Sequence, residues 1–267
     1  VRNLPTGDHN ILVRSDYGES PTWADCLASL VNQQQASDII VSTSTPNMYI
    51  DQTASRFNVP VVINDGKPSI SHDWNCAIGH ARTPLVTIAH QDDVYSPNYT
   101  LEMLRSVNHS CDPLIFFSNY GELRNGEFVD ENSILKVKRV LLNKFARLGY
   151  SASNRDKRHI LKFGSAICCP SVTYNLDTLK TPLFSSSMKC DLDWEAWERF
   201  SRLKGSFVYS PEILMHHRIH EGSETTALIE DDTRSNEDLE MLNKFWPQIV
   251  ARAIFRFYSF SMNSNAL

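Results

Sequence analysis

The stretch PLVTIAHQDD, residues 84–93, joins an apolar run directly to a histidine and two adjacent aspartates. A short, nearly all-apolar run of this kind is typical of a strand that is covered on both faces of a parallel sheet. Comparable runs occur at 11–13, 38–43, 59–63 and 113–118, and helical patterns separate them. This alternation predicts βαβ crossovers, and therefore an α/β fold whose mixed, mainly parallel sheet is flanked by helices.

The regular alternation of predicted strands and helices ends after about residue 120. Asn125-Gly126 predicts the turn of a hairpin, and residues 135–149 predict a helix that ends at Gly149. The polar and basic segment 151–159 predicts a loop, and residues 191–205 predict a helix that ends at Gly205. The tail from residue 235 to 260 has a long helical pattern. We therefore divide the chain into an α/β domain over residues 1–230 and a C-terminal helical extension over residues 231–267 that packs on it.

The composition is that of a globular protein, and several classes of protein fit it poorly. Hydrophobic residues make up 42% of the 267 residues and charged residues 21%, so the chain is long and apolar enough to bury a core. A net charge of −5 argues against a protein whose main partner is nucleic acid. The six cysteines form no C-x-x-C pair and no run of about 18 apolar residues occurs, so we expect a reduced, cytoplasmic protein.

The two aspartates of the opening stretch are candidates for a metal site. Ligands of open α/β sheets bind at the carboxyl ends of the strands, and Asp92 and Asp93 follow such a strand. Paired carboxylates suit a hard divalent cation whose other ligands are the phosphates of a substrate. A turn or helix cap before Ser96-Pro97 is the plainer alternative, and the pair alone does not decide between them.

A second polar cluster, MHHRIHEGSETT, occupies residues 215–226. His216 and His220 are four residues apart, which on a helix would suggest zinc ligands. The cluster instead follows an apolar run and resembles a strand end that enters a loop. We therefore favour a metal–diphosphate site to which one histidine contributes, while Arg218 contacts a phosphate or an acidic residue.

Two further segments place carboxylates at predicted helix starts. Asp191, Asp193 and Glu195 open the helix DLDWEAWERF, where the helix dipole favours negative charge and where a carboxylate could act as a general base. Asp73 and Asn75 lie near the start of the helix within NDGKPSISHDWNCAIGHA, residues 64–81. These two side chains could cap that helix or contact a ligand.

In their order and spacing, these segments resemble the family 2-type glycosyltransferases of GT-A fold over roughly residues 10–226. The S-L-x-x-Q signature of that family is similar to Ser29, Leu30 and Gln33, and its D-x-D motif falls at AHQDD. The family's late R-x-H-x-x-S-x-T segment resembles HHRIHEGSETT, through Arg218, His220, Ser223 and Thr225.

The resemblance implies a role for each matched residue. Asp92 and Asp93 would hold Mn2+ or Mg2+ against the diphosphate of a nucleotide-sugar donor, and His220 would complete the metal site. Asp191 would be the catalytic base, which takes the proton from the acceptor hydroxyl in an inverting transfer. Arg218 would stabilise charge on the leaving group.

The remaining matched positions would contact the donor. Asp73 and Asn75 belong to this set, and His90 stands where the family has the first aspartate of its D-x-D motif. The family's nucleotide-binding aspartate after the second strand is absent, so hydroxyls of Ser42 or Ser44 would substitute for it.

These patterns predict a transferase that moves a sugar, with a UDP-sugar favoured, to a saccharide or glycoconjugate acceptor in polysaccharide synthesis. A non-catalytic nucleotide- or carbohydrate-binding module on the same fold is one alternative. A sugar nucleotidyltransferase is another, although the acidic SDYGES replaces the basic phosphate loop that it would need. The aromatic and basic tail allows homodimer contact, or peripheral contact with the inner face of a membrane, beside simple packing on the domain.

Overall fold

The computed structural model describes residues 9–14, 22–184, 187–219 and 233–263. Within these ranges, a single mixed sheet forms the centre of the molecule. Its strands are β1 (His9–Arg14), β2 (Asp38–Thr43), β3 (Val61–Ile63), β4 (Leu85–His90), β5 (Val94–Tyr95), β6 (Pro113–Arg124), β7 (Glu127–Val129), β8 (Tyr150–Ser151), β9 (Thr173–Asn175) and β10 (Ser206–Ile219).

The order of the strands reverses direction between β1 and β4, which creates a topological switch point. The sheet runs β3-β2-β1-β4-β9-β6-β10-β5, with β7 paired to β6 and β8 paired to β10. Strands β1 to β4 are parallel, and β9 runs antiparallel to both β4 and β6. The chain winds outward from β1 to β3 and then returns to the other side of β1 through β4. The carboxyl ends of β1 and β4 therefore flank the crevice where open α/β sheets bind ligands.

Helices cover both faces of this sheet and continue beyond it. They are α1 (Trp23–Val31), α2 (Met48–Arg56), α3 (Ile70–Gly79), α4 (Tyr99–Asn108), α5 (Ser133–Leu141), α6 (Asn143–Leu148), α7 (Asn154–His159), α8 (Leu192–Phe200), α9 (Thr233–Asn243) and α10 (Gln248–Asn263). None of the described helices combines the length and the apolar character that crossing a bilayer requires.

The predicted fold class is confirmed, and the five apolar runs of the sequence all lie in or overlap strands. The predicted hairpin is also present, with Asn125 and Gly126 at φ 51° and 84° between β6 and β7. The loop predicted over residues 151–159 is wrong. Ser153 caps α7 there by accepting a hydrogen bond from the backbone N–H of Asp156, and Lys157 is buried with its ammonium donating to two backbone carbonyls.

Three predicted helices are shorter or broken. The helix expected over residues 135–149 bends between α5 and α6, although Gly149 does end it at φ 74°. Helix α8 ends at Phe200, and a turn carries the chain to Gly205. The tail helix divides into α9 and α10 before and after Pro247, which cannot donate a backbone hydrogen bond.

The hydrophobic core lies on the two faces of the sheet and extends to the C-terminal helices. The larger cluster contains side chains of β6 and β10, the aromatic residues of α8, and Met241, Leu242 and Ala251 from α9 and α10. Burying these three side chains removes apolar area from water, and each Å2 removed stabilises the folded state by about 25 cal/mol. The helical extension therefore shares its core with the sheet. The domain boundary at residue 230 falls in a segment outside the described residues and stays a prediction.

Candidate functional site

The Asp92-Asp93 pair lies directly beyond the carboxyl end of β4, beside the switch point. A turn follows His90, the last residue of β4, and β5 then pairs antiparallel with Met215 and His216 of β10. This pairing brings the histidine-rich end of β10 to the two aspartates, 124 residues away in the chain. The sheet topology thus joins two of the polar clusters that the sequence marked.

Asp93 is the centre of this contact. Its side chain is fully buried, and its Oδ1 lies 2.9 Å from Nδ1 of His217. The same oxygen accepts a hydrogen bond of 2.9 Å from the backbone N–H of Arg218. Because both partners belong to β10, the Asp93 carboxylate ties the turn after β4 to that strand.

The Arg218 side chain reinforces the same connection. Its Nε donates to the backbone carbonyl of Asp92 at 2.8 Å, and its Nη2 lies 3.4 Å from a carboxyl oxygen of Asp25. The guanidinium therefore lies beside the aspartate pair, and part of it holds the turn. The contact of Arg218 with a diphosphate stays a prediction.

His217 carries positive charge more readily than an ordinary histidine. Burial lowers its pKa, but the charge of Asp93 and the hydrogen bond between them outweigh burial and raise the pKa above its usual value. The sequence interpretation named His220 instead, and that residue lies outside the described ranges. Successive side chains of a strand point to opposite faces of the sheet, and this alternation could have indicated that His216 and His217 have different partners. His216 lies 2.8 Å from Asp130 and packs against the ring of Phe128, on the other side of the strand from Asp93.

The aspartate pair fits a divalent cation in part. The second carboxyl oxygen of Asp93, Oδ2, is buried without a hydrogen-bond partner among the described residues. A carboxylate oxygen left in this way is a suitable ligand for Mn2+ or Mg2+, and the half-buried Asp92 is adjacent to it. Elsewhere in the described chain, as here, no three or more His, Cys, Asp or Glu side chains gather as a metal site. Substrate oxygens or His220 would have to supply the other ligands.

His90 has a packing role at the position where the resemblance predicts an aspartate. Its ring stacks on the indole of Trp74 from α3, with centroids 5.6 Å apart and planes 23° from parallel. Trp74 in turn meets Phe184 edge to face at 4.8 Å. An aspartate could not make this aromatic contact, so His90 contributes packing at the end of β4.

The predicted donor-binding residues make internal hydrogen bonds at the same edge of the sheet. Ser42 donates to Asn64 at 2.8 Å, and Ser44 donates to Asp73, which is 2% exposed. Asn75 clasps the backbone of Phe184, donating to its carbonyl at 2.6 Å and accepting from its N–H at 3.2 Å. The structure thus brings Ser44 and Asp73 together. The role of these four residues in binding a donor remains a prediction.

Asp191 occupies a different environment from the aspartate pair. It precedes the first residue of α8, its side chain makes no capping hydrogen bond, and its Oδ2 is buried without a partner among the described residues. Burial, together with the nearby carboxyls of Asp238 and Asp193, raises the pKa of Asp191 to about 9. Among the described residues its neighbours come from α9, and no hydrogen bond connects it to Asp92 or Asp93.

Asp193, in the first turn of α8, is a second carboxyl group of this segment. Burial raises its pKa to about 6, while the N–H of Trp194, Arg234 and Lys138 favour its ionised form. Burial and the charges of Asp193 and Asp93 raise the pKa of the Cys169 thiol. The sequence marked Asp193 only as part of an acidic helix start.

Lys138 is the second residue that the sequence interpretation missed. Its ammonium donates to the hydroxyl of Tyr120 at 2.9 Å. Its charge lowers the pKa of Asp193 and opposes protonation of His217, so it lies near both. No local pattern distinguishes this lysine from the others in α5, because only the packing of α5 beside β6 brings it to the site.

Comparison with solved structures shows which known folds this chain resembles. The crystal structure of S. aureus TarS 1–349 superposes with a TM-score of 0.63 at 14% identity, over 96% of this chain and 73% of that chain. Its complex with UDP-GlcNAc gives a TM-score of 0.61 at 15% identity, over 93% and 70% of the two chains. No protein-family model matches the sequence, and no curated protein matches it.

A third similar structure contains a different nucleotide sugar. The mannosyltransferase PcManGT from Pyrobaculum calidifontis, in complex with GDP-Man and Mn2+, has a TM-score of 0.60 at 12% identity, over 93% of this chain and 69% of that chain. Identities this low establish a common architecture and leave the substrate of this chain open. The chain thus has the GT-A-like fold of enzymes whose structures hold nucleotide sugars.

Proposed function

We propose that this chain is a metal-dependent glycosyltransferase that moves a sugar from a nucleoside-diphosphate sugar, a UDP-sugar in the first instance, to an acceptor hydroxyl. One observation carries the proposal. In a fold shared with such enzymes, Asp92 and Asp93 lie at the switch point of the sheet, and Asp93 keeps a buried carboxyl oxygen without a partner among the described residues. The product would belong to a polysaccharide or a glycoconjugate.

Asp92 and Asp93 would hold Mn2+ or Mg2+ together with the donor diphosphate and His220. Bound there, the cation supplies positive charge that stabilises the departing nucleoside diphosphate. Arg218 contributes a permanent positive charge beside the same turn, and His217 keeps Asp93 in place. On the nucleoside side, Ser42, Ser44, Asp73, Asn75 and His90 would line the crevice.

The acceptor hydroxyl needs a base as it attacks the anomeric carbon. In the inverting reaction, the new carbon–oxygen bond forms as the bond to the diphosphate breaks, and the electron pair leaves on the β-phosphate oxygen. Asp191 would take the hydroxyl proton. Burial and the nearby carboxyls of Asp238 and Asp193, however, raise the pKa of Asp191 and so oppose the ionised form that a base needs. Asp193, whose pKa is about 6, is ionised at neutral pH and is the alternative base.

The proposal is tested by nucleoside diphosphate release from a panel of UDP-, GDP- and dTDP-sugars with Mn2+, with and without saccharide acceptors. We expect release from at least one donor, an increase with acceptor, and loss of release on chelation with EDTA. In a separate assay with a nucleoside triphosphate and a sugar 1-phosphate, release of pyrophosphate as the nucleoside-diphosphate sugar forms would instead identify a nucleotidyltransferase. No release from any donor, and no thermal stabilisation by any nucleotide, would refute the enzyme assignment.

A second candidate function is nucleotide-sugar binding without transfer. The environment of Asp191 favours it, because burial and two neighbouring carboxyls raise the pKa of Asp191, and a protonated carboxyl cannot take up the acceptor proton. Thermal stabilisation by a nucleoside diphosphate, combined with no turnover between pH 6 and pH 9, would support this alternative.

The C-terminal helix offers a surface for the predicted partners. Ile249 is 86% exposed and Val250 40% exposed, and Arg252 and Arg256 are exposed on the same helix. An apolar and basic surface suits the interface of a membrane or a second copy of the chain. Sedimentation with anionic vesicles and sedimentation equilibrium of the free protein separate these two partners.

A further inference from the structure

Glu237 binds the chain immediately before α8 through an unusual set of hydrogen bonds. Its Oε2 accepts from the backbone N–H groups of Cys190 at 2.7 Å, Asp191 at 3.1 Å and Lys189 at 3.1 Å. Its Oε1 accepts from the N–H of Lys189 at 2.8 Å. One carboxylate therefore accepts hydrogen bonds from three successive backbone amides, the last of which belongs to Asp191, the residue that precedes α8.

This carboxylate holds the segment that leads into α8, a helix without a side-chain cap. Asp191 stands at the cap position, but its side chain makes no capping hydrogen bond. Glu237 supplies the negative charge at the helix N-terminus from 46 residues further along the chain. Because the bonds are made to the backbone, they hold the conformation of the segment and do not involve the carboxyl group of Asp191.

The helix that carries Glu237 is itself firmly attached. One turn beyond Glu237, Met241 and Leu242 are buried in the main core. Asp238, the next residue, is 6% exposed and lies close enough for its charge to raise the pKa of Asp191. Helix α9 therefore presents two consecutive carboxyl groups to the DLD segment, residues 191–193, and cannot shift without disturbing it.

We propose that Glu237 is a positioning residue, which fixes the backbone of residues 189–191 so that the DLD segment presents its carboxyl groups to the acceptor hydroxyl. This inference rests on the proposed transferase function. It assigns to the C-terminal extension a part in the reaction, since a residue of α9 orients the segment that carries the base. A displacement of about 1 Å at a reacting group can reduce turnover about 100-fold, so loss of these bonds should affect the reaction step.

The test compares Glu237→Gln with Glu240→Gln, a matched change at an exposed position of the same helix. We expect Glu237→Gln to lower kcat at least tenfold while the donor KM stays within twofold of the wild type. Glu240→Gln should leave both constants unchanged. A role confined to stability would lower the melting temperature of Glu237→Gln and leave kcat intact at temperatures where the protein is folded, and that result would overturn the proposal.

Hydrogen exchange gives a measurement that does not depend on turnover. The amides of Lys189, Cys190 and Asp191 should be protected in the wild type and exchange at least tenfold faster in Glu237→Gln. Unchanged exchange would overturn the positioning role, even if the wild type transfers sugar. A wild type that transfers no sugar would refute the transferase function, and with it the part of Glu237 in the reaction. Faster exchange would then show only that Glu237 holds this backbone.

Discussion

Replacing Asp93 with Asn should destabilise the protein in a pH-dependent manner. The substitution keeps the shape and one acceptor oxygen but removes the charge that His217 and the Arg218 amide contact at 2.9 Å each. Hydrogen bonds to a charged group contribute about 1.5–3 kcal/mol each, and the neutral amide retains part of this. We expect a loss of ~2 kcal/mol for Asp93→Asn, and of ~3–5 kcal/mol for Asp93→Ala, which leaves the buried donors without an acceptor.

The pH dependence follows from the raised pKa of His217. Because folding raises this pKa above about 6.5, the pair contributes its full stability below that pH. The contribution is lost as pH rises through the pKa of the folded state. The deficit of Asp93→Asn relative to the wild type should therefore be largest at pH 6 or below and shrink at pH 8 and above.

Urea unfolding of both proteins at pH 6 and pH 8.5 measures this deficit. The midpoint should shift while the slope m stays constant, since the same surface is exposed on unfolding. A double-mutant cycle with His217→Gln should give a coupling energy of ~1–3 kcal/mol at pH 6. A deficit below about 0.5 kcal/mol at pH 6, or one that is equal at both pH values, would refute the ion-pair interpretation.

Three further results are expected. Asp191→Asn and Asp193→Asn should each bind nucleoside diphosphate with wild-type affinity, and the variant that lacks the base should lose transfer by at least 100-fold, as a transfer assay would show. If Asp191 is the base, wild-type kcat should rise with pH towards about 9. Gly205→Ala should cost ~1–3 kcal/mol in urea unfolding, because its Cβ would lie 2.6 Å from a backbone oxygen, whereas Gly126→Ala, also at positive φ but with open space, should cost less. His90→Ala should lower the melting temperature by a few degrees, through loss of ~1 kcal/mol of stacking.

The sheet could be predicted from the sequence because several of its strands contain a short apolar run. Most of residues 38–43 and 85–90 are buried in the sheet, and the helices between these strands have regular apolar faces. Strand β9 has only three residues, Thr173–Asn175, and joins the sheet through its position between β4 and β6. Such a strand has no local pattern. The helix α7 was missed because its polar side chains, including Lys157, find partners in distant backbone carbonyls.

Residues of the site could be predicted where side chains suited to bind a ligand directly follow a predicted strand. Asp92 and Asp93 follow an apolar strand at the carboxyl edge of the sheet, which marked them without any structure. The partner of Asp93 could not be predicted, since the choice among three nearby histidines depends on which face of β10 meets the turn. The role of Glu237 was also hidden, because a contact over 46 residues between a helix and a backbone segment has no sequence signature.

The most direct test of the central claim is nucleoside diphosphate release by the wild type and by Asp93→Asn, from a panel of UDP-, GDP- and dTDP-sugars with Mn2+. We predict release from at least one donor by the wild type, abolished by EDTA. Release should fall by at least tenfold in Asp93→Asn at a temperature where both proteins are folded. Equal release by the two proteins, or no release and no nucleotide-dependent thermal stabilisation of the wild type, would contradict the account.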